Sequence, residues 1–116
     1  MTEQNFTFET REIPDQELID LLKERGAEDP EVRRLLIDWT IKKETAIEKS
    51  EDYCLGQINL NIERGHLYLA AGYIDEAIES LDDAATQAWN EYRDELYQKI
   101  IEEIKQIESQ LDKQDK

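Results

Sequence analysis

The chain has 116 residues and carries 14 Lys and Arg against 29 Asp and Glu, a formal charge of −15. That length supports one modest core and excludes a barrel or a doubly wound sheet. A nucleic-acid binder needs a cationic face to displace counterions, so the acid excess argues against phosphate-backbone partners.

Four Gly and two Pro in the whole chain, amid abundant Glu, Lys, Leu, Ile, Ala and Gln, predict an all-α fold. Cys54 is the only cysteine, which rules out an intrachain disulfide scaffold. The opening residues, Met1 to Glu9, have neither a basic nor an apolar block and do not read as a signal peptide. No apolar run approaches the roughly 20 residues that a membrane span needs. The expectation is a soluble, cytoplasmic protein with no membrane partner and no cofactor.

In chain order, residues 1–13 lack helical periodicity and read as a flexible tail, although Phe6 and Phe8 alternate with polar neighbours. A single helical domain is expected over 14–111. Asp15, after Pro14, is a candidate cap for a short helix with Leu18, Ile19, Leu21 and Leu22 on one face, closed by Gly26. Asp29-Pro30-Glu31 opens a second helix, with a cap, a proline in the first turn and an acid against the dipole. Val32, Leu35, Leu36 and Trp39 form its apolar stripe, and it is expected to end near Ser50, a candidate cap for the next helix.

The third helix is predicted from about Glu51 to Ala71, ended by Gly72. The fourth opens at Tyr73 or Asp75 and carries Ile74, Ala77, Ile78, Leu81, Ala84 and Ala85 on one stripe. From Trp89 onward no Gly or Pro interrupts the chain, so one helix is predicted from there. Tyr97, Ile100, Ile104, Ile107 and Leu111 step by three and four, a seam too short for a coiled coil and better suited to docking on its own domain. Residues 112–116 are expected to fray.

Residues 65–85 carry the most informative pattern: Gly65, Tyr68, Gly72-Tyr73, Ala77, Leu81 and Ala84, in that order and spacing. This resembles the tetratricopeptide repeat, a helix–turn–helix unit of about 34 residues. The likeness covers residues 58–91. It implies a short solenoid or antiparallel bundle in which Gly65 and Ala77 permit a close crossing, Tyr68 fills the groove and Leu81 plugs the interface. Gly72 would supply the turn. Asn61 and Arg64 depart from the family's large apolar positions, and Trp89 from its closing proline. There is no second copy of the pattern. A lone repeat leaves both faces uncovered, so residues 30–50 are expected on one side of the pair and 90–111 on the other.

By the same resemblance, a ligand would lie along the first helix of the pair, on Asn59, Ile62, His66, Leu69 and Ala70, with Glu63 at the edge. Ile62, Glu63 and His66 do not form the Lys, Arg and Asn clamp by which some members grip a carboxylate. An apolar groove with one imidazole suits an amphipathic helix or a folded-back tail. The competing reading makes Ile62 and Leu69 core, covered by the second or fifth helix.

Other chemistry is sparse. Glu63 and His66 share the spacing of carboxylate–histidine metal ligands, with Glu44 or Glu48 as conceivable partners, but one His and no second such pair argue against it. Cys54 and His66 lie about three helical turns apart, ~18 Å, too far for a nucleophile–base pair. Asp82-Asp83 and Glu102-Glu103 read as solvated faces. Arg33, Arg34, Lys42 and Lys43 make the second helix the most basic, whereas Asp75, Glu76, Glu79, Asp82, Asp83, Glu91, Asp94 and Glu95 make the fourth and the early fifth acidic.

An enzyme is not expected. The sequence favours a small acidic adaptor, chaperone or immunity-type protein that binds a protein or peptide, basic or amphipathic, as monomer or homodimer. The alternatives are an oligomerisation module using the Tyr97–Leu111 seam and a di-iron-like metal-binding bundle using Glu63 and His66.

Overall fold

In the computed structural model, which describes residues 14–114, five helices follow one another: α1 (Asp15–Arg25), α2 (Pro30–Glu48), α3 (Tyr53–Ala70), α4 (Ile74–Asn90) and α5 (Asp94–Gln114). Every regular element among the described residues is a helix. The predicted N-terminal tail, with Phe6 and Phe8, lies outside them. At the other end α5 continues through Gln114, past the point where fraying was expected.

Local chemistry explains most boundaries. The Asp29 carboxylate accepts from the amides of Glu31 and Val32, at 3.0 and 3.2 Å, and Pro30 takes the first helical position. A cap of this kind contributes about 1 kcal/mol. Two expected caps are corrected. Asp15 lies inside α1, which Pro14 precedes without a side-chain cap, and its carboxylate instead accepts from the Trp39 indole at 3.0 Å. Ser50 does not open α3; its hydroxyl donates back to the Ile47 carbonyl, and Asp52 accepts from the Leu55 amide.

Helix α3 is the shared wall between two apolar clusters. Leu60, Leu67 and Ala71 join Leu18, Leu22, Val32, Leu35 and Trp39 from α1 and α2. Ile58, with Ile62 and Leu69 packed alongside, joins Leu81, Ala84, Ala85 and Ala88 of α4 and Ile100, Ile104 and Ile107 of α5. So α2 packs on α3 at one side of the hairpin and α5 on α4 at the other, the placement expected for residues 30–50 and 90–111. The seam of α5 is spent inside its own chain.

The hairpin turns on a close approach. A Cβ placed on Gly65 would stand 2.9 Å from Leu81 Cγ and 3.2 Å from the Ala77 carbonyl oxygen, so only a bare backbone fits. Across the same interface the Asn61 amide donates to Gln87 Oε1 at 2.8 Å, and Arg64 donates to Asn61 Oδ1. Of the two polar residues that replace apolar ones here, Asn61 thus binds α4 directly and Arg64 braces Asn61 from within α3. Tyr68 is half-buried, its ring 6.1 Å from that of Tyr73. The Tyr73 hydroxyl accepts from the Ala27 amide and donates to the Leu22 carbonyl, tying the α3–α4 turn to the α1–α2 turn.

The predicted unbroken helix from Trp89 is also corrected, because the chain reverses at Glu91–Arg93 and Trp89 belongs to α4. Two turns in this molecule are twins. Tyr73 N–H reaches back to the Tyr68 carbonyl at 2.8 Å, and Arg93 N–H reaches back to the Ala88 carbonyl at 2.9 Å. Each needs one left-handed residue. The first uses Gly72 (φ 89°), the second Tyr92 (φ 59°). A left-handed tyrosine costs roughly 1–2 kcal/mol relative to an unstrained backbone.

Two outcomes follow for chemical denaturation. Gly65→Val should lower the unfolding free energy by about 1–3 kcal/mol through overpacking. Tyr92→Gly should leave it unchanged or raise it, by at most about 1 kcal/mol, since glycine relieves the strain but loosens the unfolded chain.

Candidate interaction surface

The residues singled out on α3 divide between two environments. Ile62 and Leu69 are partly buried against the α4–α5 cluster. Asn59, Glu63, His66 and Ala70 face solvent. The strip open to a partner is therefore polar, with the two aliphatic chains beneath it. Beside it, Asp15, Ile19, Glu63, His66 and Leu67 line a shallow hollow of about 220 Å³ between α1 and α3.

Ion pairs bind this strip to its neighbours. Lys43 of α2 reaches Glu63 at 2.6 Å and lies 5.2 Å from the centre of the Trp39 ring. His66 Nε2 meets Glu103 Oε2 at 2.5 Å, a side-chain bridge from α3 to α5. Both pairs are solvent-exposed, so each is worth at most about 1 kcal/mol. Glu103, expected on a solvated face, thus belongs to the strip, as does Asp15. Neither was identifiable from helical periodicity, because both depend on how α1 and α5 lie against α3.

The same contacts bear on metal chemistry. Glu63 is engaged by Lys43 and His66 by Glu103, and among the described residues no three of His, Cys, Asp and Glu converge where an ion would sit.

Cys54 is exposed at the start of α3, beside a cleft of about 200 Å³ lined also by Tyr53, Gln57, Gln87, Asn90 and Glu91. The nearby Glu91 carboxylate, with help from desolvation, holds its thiol above the ordinary range. A thiolate is thereby disfavoured, the opposite of what a nucleophile needs.

At this end of the molecule Arg93 donates two hydrogen bonds to Asp52, at 3.0 and 2.9 Å, clasping the start of α3 to the α4–α5 turn. The Asp52 carboxyl is held below its ordinary range, first by the Leu55 amide and then by Arg93. The two main charge zones stay apart. Basic α2 packs on α1 and α3, away from the backbones of acidic α4 and α5.

No protein-family model, curated protein or solved structure matches this chain.

The depressed Asp52 gives a test with a defined sign. Its stabilising contribution is complete above the unfolded carboxyl value and is lost as pH falls through the lower folded value. Thermal unfolding of the wild type and Asp52→Asn should differ at neutral pH, with the variant lower. The difference should shrink as the medium is acidified below the ordinary aspartate range.

Proposed function

We propose that this chain is a non-catalytic protein-binding module, a small acidic adaptor of tetratricopeptide-like build. Its partner segment lies along the outward strip of α3 and the α1–α3 hollow. The observation that carries the reading is the Gly65 crossing, which sets α3 between α1 and α5 with Asn59, Glu63, His66 and Ala70 outward. Asp15, Glu63 and Glu103 give the strip an acidic character, so the reading favours a segment with basic residues, extended or as an amphipathic helix. A cytoplasmic setting belongs to the same proposal. Oligomerisation through α5 gains no support, since Ile100, Ile104 and Ile107 are buried against α4.

Panning a display library of random peptides on the full chain tests this. Net-positive peptides should be enriched, and the double variant Asn59→Arg/Ala70→Arg should weaken their binding about tenfold or more, near 1.4 kcal/mol. Because both positions are exposed, its thermal unfolding should match the wild type. If none of the enriched peptides loses affinity in this variant, the α3 strip is overturned as the site.

A further inference from the structure

The α4–α5 turn presents more aromatic surface to water than any other described part of the chain. Tyr92 is 89% exposed and Trp89 62% exposed, one helical turn apart in the backbone. The Trp89 ring is held against Tyr97 on α5, with centroids 5.1 Å apart. An indole fixed in this way keeps a defined position while remaining open to solvent. Tyr92 occupies the left-handed position that Gly72 fills in the twin turn, so the backbone there favours a glycine and the sequence supplies a phenol ring instead.

The surroundings define the chemistry. From Asp82 to Tyr97 the only basic residue is Arg93, and both its contacts with acid go to Asp52. Glu91, Asp94 and Glu95 beside it are exposed. On the other flank of the turn, Leu55, Arg93, Asp94, Glu95 and Leu96 line a hollow of about 470 Å³. The Nε–H of Arg93 is buried and has no hydrogen-bond acceptor among the described residues.

We infer that the Trp89–Tyr92 corner docks an arginine-bearing segment of a partner protein. A guanidinium is flat enough to stack on the Trp89 and Tyr92 faces while its N–H fork meets the Glu91, Asp94 or Glu95 carboxylates. A lysine supplies the charge without the planar stacking. This surface is distinct from the α3 strip: Arg93 clasps Asp52 at the N-cap of α3, and the strip begins at Asn59, about 10 Å further along that helix, and runs on to Ala70. The inference therefore does not rest on the proposed α3 site.

The test uses the full chain and a labelled peptide of alternating arginine and glycine, followed by the ¹⁵N indole signals. There are two tryptophans, and Trp39, 8% exposed, lies in the α1–α2 cluster, so the two signals report different surfaces. The Trp89 signal should shift saturably; movement of the Trp39 signal, whose indole N–H is held by Asp15 beside the α1–α3 hollow, reports peptide at that other surface instead. Trp89→Ala and Tyr92→Gly should each weaken binding about threefold or more. The lysine counterpart of the peptide should shift the Trp89 signal with weaker affinity, and in Asn59→Arg/Ala70→Arg the midpoint of the Trp89 shift should be that of the wild type. Tyr92→Gly keeps the readout clear of folding, because its thermal midpoint should not fall. Unsaturable shifts spread over the acidic helices, or affinity unchanged in both corner variants, would overturn the assignment. So would movement of the Trp89 signal with protein concentration alone, which would place a second copy there.

Discussion

A missing side chain governs how this molecule is assembled. With no Cβ at residue 65, α3 approaches α4 until its backbone lies against Leu81 and the Ala77 carbonyl, closer than any substituted residue allows. Two consequences spread from there. The aliphatic chains of α3 divide between two clusters, one facing α1 and α2 and the other α4 and α5. With those faces committed, the remaining arc of α3 turns outward and carries the polar strip. The fold and the proposed binding surface thus depend on one contact.

Tertiary ties outside the core hold the elements in register. Tyr73 joins two turns by its hydroxyl, Arg93 joins α3 to the α4–α5 turn, and Trp39 hands its indole proton to Asp15. Each links residues far apart in sequence through a donor that would otherwise need water. The Arg93–Asp52 clasp is itself an exposed ion pair and, like Lys43–Glu63 and His66–Glu103, contributes less than the two part-buried ties, because solvent screens it. Long-range steering is a different matter. An acidic α4–α5 surface packed away from the backbone of the chain's most basic helix attracts cationic partners over a Debye length of about 8–10 Å.

Much of the architecture was legible in the residues, and the exceptions have physical causes. Periodicity marked the buried faces of α2, α4 and α5, because burying an amphipathic stripe is a local requirement. Gly65 and Ala77 announced the crossing through their size. The break at residues 91–93 was hidden because the turn uses a strained tyrosine in place of a glycine, which sequence rules do not anticipate. A second close approach, at Gly56 against Ile47, carried no signal either, since a lone mid-helix glycine looks the same whether a neighbour needs its space or not. At the candidate strip, the six α3 positions were readable as one helix arc. Which of them solvent would reach was set by the placement of α5, and so were the roles of Asp15 and Glu103.

The most direct measurement is a methyl-resolved nuclear Overhauser spectrum of the full chain, observed at the Gly65 α-protons. Close packing predicts cross-peaks from them to the Leu81 methyl groups. Their absence, with Gly65 seeing only its own helix, would contradict the crossing on which the rest of the account depends.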